Sequence, residues 1–274
     1  MGSRKTGSPG TPLTYNYPMN FDFLQKAIDS REGLVQPPHE SAFRLFNGFT
    51  EGIPDLVIDM YASTAVIHNY ASDPAAGMTL VNEAEALLID RLSWLHAVII
   101  KTRNGKTPAE KNGELAFGAA ADTKIDEHGV WYALDLTMNR DASFYTDTRN
   151  LRKWLIETMR AKSVLNTFAY TGSFGAAALA GGASRVIQVD RTRRFLDLAK
   201  ESYALNGFPV SGRDFSSQDF FPAVSRLKQS KQLFDCVILD PPFFSSTSKG
   251  KVDQERESAR LINKVRPLVS SGGW

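Results

Sequence analysis

Two turns in the second half of the sequence carry the residue types that could do chemistry. The first belongs to the stretch 163–190, SVLNTFAYTGSFGAAALAGGASRVIQVD, where one apolar run leads into a small-residue turn and a second apolar run ends at Asp190. Gly172 and Gly175 let the backbone pass close to a ligand, and a carboxylate at the end of a strand can accept both hydroxyl protons of a ribose. The stretch therefore favours a ligand that contains a nucleoside.

The spacing of the glycines narrows the kind of nucleoside. The dinucleotide pattern Gly-x-Gly-x-x-Gly is absent, since Gly172 is followed by Ser173, Phe174 and Gly175. A cofactor with an adenosine and no pyrophosphate fits better, and S-adenosylmethionine is the candidate. The alternative is an ordinary βαβ crossover whose glycines only permit close packing.

The second turn follows the apolar run of FDCVILDPPFF at 234–244. Its prolines fix the loop and remove backbone donors, so the Asp240 carboxylate and the exposed carbonyl oxygens are free to accept protons from a planar ring. Phe243 or Phe244 can stack on that ring. The alternative is a proline turn that merely ends a strand.

Two further segments supply candidate pocket residues. In SFYTDTRN at 143–150, Phe144, Tyr145 and Asp147 are predicted to cover the cofactor pocket; alternatively, Asp147 or the adjacent Thr148 caps the next helix.

Downstream, Gln218-Asp219-Phe220-Phe221 follows a third strand. Asp219 is placed there to accept an adenine amino proton while an aromatic neighbour stacks on the ring. Asp214 is the competing candidate for the same role.

The elements that must position these residues alternate between strands and helices. Apolar runs of strand length at 164–168, before Asp190 and at 234–239 are separated by helical periodicity, including an amphipathic helix that ends at Asn206-Gly207. This alternation predicts an α/β domain with a parallel sheet. Ligands bind at the carboxyl ends of such strands, so the candidate turns should meet at one edge.

The first half of the chain has a different pattern. Residues 1–20 are rich in Gly, Ser, Thr and Pro and predict a flexible tail. The following patterns predict a helix from Phe21, a hairpin or meander over 41–70, a helix over 78–92, a strand over 96–101 and a turn at His128-Gly129. Together they predict a small α+β domain over 21–138.

A cluster of cations follows the strand at 96–101. Lys101, Arg103, Lys106 and Lys111 lie in KTRNGKTPAEK. The cluster is either a solvated loop or a set of contacts with a nucleic-acid backbone, because separated cations on a loop can each follow a phosphate without reading sequence.

Composition sets further bounds. The 274 residues are 42% hydrophobic and 23% charged, which is typical of a globular protein. The net charge of +2 does not indicate a strongly basic surface for binding nucleic acid. No apolar run reaches the ~18 residues of a membrane helix, and we expect a cytoplasmic protein. The single cysteine, Cys236, excludes an internal disulfide and a cysteine-based zinc site, and no metal site is predicted.

The motifs resemble, in composition and order, those of the class I S-adenosylmethionine-dependent methyltransferases. The blocks are SFYTDTRN (143–150), NTFAYTGSFG (166–175), VD (189–190), QDFF (218–221) and DPPFF (240–244). They are most similar to the ribosomal RNA large-subunit methyltransferases that modify cytosine C5 or guanine N7. EGIPDLVIDMY at 51–61 is also similar to the central domain of that group.

The resemblance implies a Rossmann-like methyltransferase domain over 139–274, behind a small α+β domain that is a candidate RNA-binding unit. The implied substrate is a base of RNA, in large-subunit ribosomal RNA. The implied cofactor-binding residues are Phe168, Tyr170, Thr171, Gly172, Ser173, Phe174, Asp190 on the ribose and Asp219 near adenine, with Tyr145 and Asp147 covering the pocket. Asp240, Pro242 and Phe243 would face the target base.

Two features limit the mechanism. The chain stops at SGGW, where the fifth strand begins in this fold, so the methyltransferase domain is expected to be incomplete at its C-terminus. Methylation at cytosine C5 usually requires a cysteine nucleophile, and Cys236 lies within an apolar strand. Either the nucleophile lies in a missing C-terminal part or the target atom is a nitrogen. Two other classes stay open: a non-catalytic RNA-binding protein with a decayed methyltransferase domain, and another nucleotide-dependent Rossmann enzyme.

Overall fold

The computed structural model describes residues 22–274, and for Thr247 only the backbone. The tail predicted at 1–20 lies outside these residues. The helices are α1 (Asp22–Ser30), α2 (Gly48–Glu51), α3 (Pro74–Arg91), α4 (Pro108–Asn112), α5 (Arg149–Thr158), α6 (Ser173–Ala180), α7 (Arg193–Leu205), α8 (Phe220–Gln229) and α9 (Gln254–Val265). None of them is long and apolar enough to cross a bilayer.

The strands form two principal sheets and two hairpins. They are β1 (Ala42–Asn47), β2 (Leu56–Tyr61), β3 (Thr64–Asn69), β4 (Ala97–Thr102), β5 (Glu114–Phe117), β6 (Lys124–Glu127), β7 (Val130–Ala133), β8 (Ser163–Thr167), β9 (Arg185–Asp190), β10 (Phe215–Ser217), β11 (Cys236–Leu239), β12 (Phe244–Thr247) and β13 (Gly250–Asp253).

The first sheet has the order β1-β2-β3-β4-β5. β1, β2 and β3 form the predicted antiparallel meander, whereas β3 and β4 are parallel because α3 carries the chain back across the sheet. Val81, Ala84 and Leu88 of α3 are buried in the core beside the sheet. Within this meander, β1 and β2 are joined through α2, a single helical turn that begins at Gly48.

The hairpin of β6 and β7 contacts both halves of the molecule. His128 and Gly129 join its strands with φ values of 59° and 77°, as a tight hairpin turn requires, which confirms the predicted turn. The Trp131 N–H donates to Asn206 Oδ1 at 2.9 Å, and the Ala133 N–H donates to Ser202 Oγ at 2.9 Å. The last element of the predicted small domain thus packs on α7.

The second sheet is parallel throughout and has the order β10-β9-β8-β11. Residues 164–167 of β8 and 186–189 of β9 are buried without alternation, as expected for central strands covered on both faces. Cys236 is 3% exposed in β11, as predicted for a core residue. Beside β11 the Val237 N–H donates to the Trp274 carbonyl, and the Trp274 N–H donates to the Asp235 carbonyl, both at 2.9 Å.

Candidate cofactor site

A cavity of about 430 Å³ opens at the carboxyl edge of the parallel sheet. Turns that follow β8, β9, β10 and β11 form its walls, together with the segment before α5 and the hairpin of β12 and β13. The predicted residues that line it are Tyr145, Asp147, Phe168, Tyr170, Ser173, Phe174, Asp190, Asp219, Asp240 and Pro242. Its volume is typical of a pocket for a small ligand or cofactor.

Three predicted site residues are not among those that line the cavity. Thr171 is buried and its hydroxyl donates to the Ser143 carbonyl at 2.5 Å. Gly172 precedes α6, where an added Cβ would lie 2.5 Å from the Ala199 Cβ. Phe243 is 68% exposed. Thr171 and Gly172 therefore shape the turn without facing the cavity.

The turn between β8 and α6 has an unusual backbone. Phe168 and Tyr170 adopt φ values of 54° and 50°, which are rare for residues other than glycine, and Gly172 adopts 74°. The Gln188 amide donates to the Gly172 carbonyl at 3.1 Å, and the Asn166 amide donates to Gln188 Oε1 at 2.7 Å. The buried side-chain amides of Asn166 and Gln188 in the sheet therefore stabilise the turn.

Asp190 ends β9 with its carboxylate at the cavity. Oδ2 accepts the Tyr170 N–H at 2.9 Å and Oδ1 accepts the Thr192 N–H at 2.8 Å. Each carboxylate oxygen can accept a second hydrogen bond, so both can also receive the hydroxyls of a ribose. Burial raises the pKa of Asp190, and the two backbone N–H groups oppose that rise.

Aromatic rings form another wall of the cavity. Phe168 stacks on Phe220, with ring centroids 4.7 Å apart and planes at 24°. Asp219 caps α8 by accepting the Phe221 N–H at 3.0 Å and also lines the cavity. Asp214, the competing candidate, pairs instead with Arg185 Nε at 2.9 Å and is not a lining residue.

Two of the three residues predicted in the segment before α5 line the cavity. Tyr145 and Asp147 line it, whereas Phe144 is buried elsewhere. The centroid of the Phe144 ring lies 4.0 Å from Arg152 Cζ. Thr148 occupies the N-cap position of α5, as one of the alternatives predicted, although its side chain makes no capping hydrogen bond.

Asp240 and Pro242 bring the second predicted turn to the same cavity. Burial raises the pKa of Asp240, and the negative charge of Asp147 raises it further. The Gln254 amide donates to the Pro241 carbonyl and so links the proline turn to α9. A carboxylate with a raised pKa in this position is suited to accept a proton from a ligand.

Several lining residues were not predicted. Thr192 and Phe195 line the cavity just after Asp190, and their closeness in sequence to that carboxylate is a signal that could have identified them. Ser245 and Val252 also line it, from the hairpin of β12 and β13. No motif marks that hairpin.

The predicted phosphate-binding cluster is corrected by the structure. Lys101 belongs to β4 and is 2% exposed, so it is not a loop residue available to a phosphate. Arg103 lies 3.5 Å from an Asp141 oxygen. Lys106 remains exposed and Lys111 is half-buried, so only part of the cluster is accessible to a phosphate.

Known proteins share this fold and align with most of this chain. The protein named ribosomal RNA large subunit methyltransferase I of Aeromonas salmonicida is 30% identical over 252 residues, which cover 91% of this chain and 63% of the relative. A candidate methyltransferase solved in complex with SAH aligns with a TM-score of 0.81 at 23% identity, over 92% of this chain and 64% of that chain.

A second solved structure, of a candidate S-adenosylmethionine-dependent methyltransferase from Streptococcus mutans, gives a TM-score of 0.78 at 22% identity, over 93% of this chain and 66% of that chain. The chain thus spans less than two thirds of the length of each of these proteins. The similarity to solved structures confirms the Rossmann-like fold. The family model described as S-adenosylmethionine-dependent methyltransferase matches residues 101–274. The chain belongs to the S-adenosylmethionine-dependent methyltransferases.

Proposed function

We propose that this chain binds S-adenosylmethionine in the cavity and directs its methyl group to a base of RNA, with large-subunit ribosomal RNA as the substrate. The observation that carries the proposal is the meeting of Asp190 and Asp240 at one cavity, since one suits a ribose and the other a proton-bearing base. The relative from Aeromonas supports the choice of substrate by its name.

The residues of the chain have separable roles in this proposal. S-adenosylmethionine, when bound, supplies a methyl group on a sulfonium centre. Asp190 accepts the ribose hydroxyls, Asp219 and the ring of Phe220 contact adenine, and the β8–α6 turn fixes the remaining part of the cofactor. Pro242 and Phe243 orient the target base, and Asp240 accepts its proton. Because methyl transfer is an in-line displacement, alignment is the main contribution of the protein.

Cys236 takes no direct part in the proposed transfer. Burial raises the pKa of its thiol to about 11, and it lies in the sheet rather than among the cavity residues. Residues 21–138 are proposed to form the RNA-binding domain and 139–274 the methyltransferase domain. A ribosomal substrate would place the protein in the cytoplasm.

The test combines cofactor binding with turnover. Calorimetric titration with S-adenosylmethionine should show binding, and titration with NAD should not. Incubation with labelled cofactor and unmodified large-subunit RNA should then label the RNA, and nucleoside mass spectrometry should identify the methylated atom. Cofactor binding without transfer to any RNA would favour a non-catalytic RNA-binding protein, and binding of NAD alone would overturn the proposal.

A further inference from the structure

Lys101 is a buried ammonium that the proposed chemistry does not use. It projects from β4, and within residues 22–274 it pairs with no carboxylate at ion-pair distance. Its Nζ donates instead to two backbone carbonyl oxygens, at 2.7 Å from Asn139 and 3.1 Å from Asp141. Burying a charge is costly, and an apolar side chain would fill the same space without that cost. Packing alone therefore does not account for a lysine here.

The segment that Lys101 holds is in contact with the cavity. The Asn139 amide donates to the Tyr170 hydroxyl at 3.1 Å, and that hydroxyl donates to the Ala142 carbonyl at 2.9 Å. The Tyr145 hydroxyl donates to the Asp141 carboxylate at 3.4 Å. Tyr145 and Tyr170 both line the cavity, with ring centroids 5.3 Å apart.

These contacts form one continuous connection from the first sheet to the cofactor site. We propose that Lys101 is a positioning residue, which fixes residues 139–141 and thereby sets the places of Tyr145 and Tyr170 in the cavity. The inference rests on the proposed binding of S-adenosylmethionine. It makes β4 of the first sheet part of the cofactor site, although no residue of β4 lines the cavity.

Charges around Lys101 agree with this role. Burial lowers its pKa to about 8, and the negative charges of Asp141 and Asp135 oppose that fall. The ammonium is thus held by the segment that it positions. Because a methionine side chain has no N–H or O–H donor for the two carbonyls, Lys101→Met releases the segment while keeping the apolar stem of the side chain.

The experiment is a calorimetric titration with SAH of the wild-type chain, Lys101→Met and a control from the same strand. We expect Lys101→Met to weaken SAH binding about tenfold, because Tyr145 and Tyr170 are no longer held in position at the cavity. The control is Val98→Ala, because Val98 is buried in the separate core beside α3. It should lower the melting temperature and change SAH affinity by less than twofold. Equal SAH affinity in folded Lys101→Met and wild type would overturn the inference.

A double-mutant cycle with Tyr170→Phe separates positioning from general destabilisation. If Lys101 acts through the Tyr170 hydroxyl, the double variant should bind SAH about as weakly as the weaker single variant. The same cycle is run with Tyr145→Phe, and effects that multiply in both cycles would overturn the inference. Lys101→Leu, which also lacks a donor, serves the same cycle should Lys101→Met not fold. Failure of the wild type to bind SAH would instead refute the proposed function, and the inference would fall with it.

Discussion

Carboxylates in the two halves of the molecule differ in how fully they are hydrogen-bonded. Asp59 of the first sheet accepts Arg44 Nε at 2.8 Å and Nη2 at 3.0 Å and lies 3.4 Å from His68 Nε2. Burial alone would raise the pKa of Asp59, but the hydrogen bonds from His68 and Arg44 outweigh it and lower the pKa. At the cavity, burial instead leaves the pKa values of Asp190 and Asp240 raised.

Glu127 extends the comparison. Its two oxygens accept Arg152 Nε at 2.6 Å and Nη2 at 2.9 Å, and both side chains are fully buried. A carboxylate whose charge is matched by buried donors stabilises the fold, whereas one that faces a cavity with a raised pKa is available to a ligand. The difference teaches that the partners of an acidic residue, rather than its burial, separate structural from functional roles.

The largest effect should come from breaking the buried pair. Glu127→Gln leaves Arg152 charged and unmatched, and we expect the free energy of unfolding in urea to fall by about 3–5 kcal/mol. Arg149→Met is the control, since Arg149 also lies 3.4 Å from Glu127 but is 44% exposed. It should cost less than about 1 kcal/mol. A loss of less than about 1 kcal/mol for Glu127→Gln would contradict the assignment of a structural role to Glu127.

The opposite result is expected at the cavity. Asp190→Asn should weaken SAH binding about 100-fold, or about 3 kcal/mol, because the ribose hydroxyls lose a charged acceptor. Calorimetry measures the affinity, and urea unfolding measures the stability. The stability should fall by about 1–3 kcal/mol, because Asn can accept only one of the two backbone N–H groups that Asp190 accepts. Asp214→Asn, outside the cavity, should leave SAH affinity unchanged. A variant at Asp190 that loses stability but not affinity would break the comparison.

Asp240 should affect transfer rather than cofactor binding. Removing a general base typically costs 10²–10⁴ in rate, so Asp240→Asn should lower methyl transfer to RNA at least about 100-fold. SAH affinity should stay within about threefold of the wild-type value. Single-turnover rates with saturating cofactor provide the measurement. Unchanged transfer would reduce the proline turn to a structural feature.

The smallest predicted effect is a pH dependence of cofactor affinity. The pKa of Asp190 is raised in the folded chain, so the folded state binds this proton more readily than the unfolded state. Its contribution to stability is therefore present at low pH and lost as the pH rises through the folded pKa. Ligand binding has the opposite sign, because protonation removes a ribose acceptor. SAH affinity should fall severalfold on acidification, and Asp190→Asn should show a flat profile.

Much of the parallel sheet could be predicted from local pattern. In 163–205 the periodicity changes between strand and helix at each boundary, and Asp190 and Asp240 follow directly from their places at strand ends. The hairpin of β12 and β13 was missed because its four-residue strands are too short to show a period. Its contribution to the cavity depends on the path of the chain after the proline turn.

Lys101 shows a different limit of sequence reasoning. Its neighbours Arg103 and Lys106 suggest a solvated loop, and nothing within the stretch marks Lys101 as buried. The carbonyls that bind it belong to Asn139 and Asp141, 38 and 40 residues later in the chain. Burial of a polar residue that depends on such distant partners becomes visible only when the two segments are brought together.

The amides below the β8–α6 turn have a consequence for the kinetics of binding. Gln188 donates both to the Gly172 carbonyl and to the Tyr203 hydroxyl, each at 3.1 Å, so hydrogen bonds within the chain itself shape the turn. The loss of conformational entropy needed to shape the turn is met once, during folding, and not at each encounter with the cofactor. In the proposed reaction, exchange of spent for fresh cofactor therefore need not wait for this turn to reorganise.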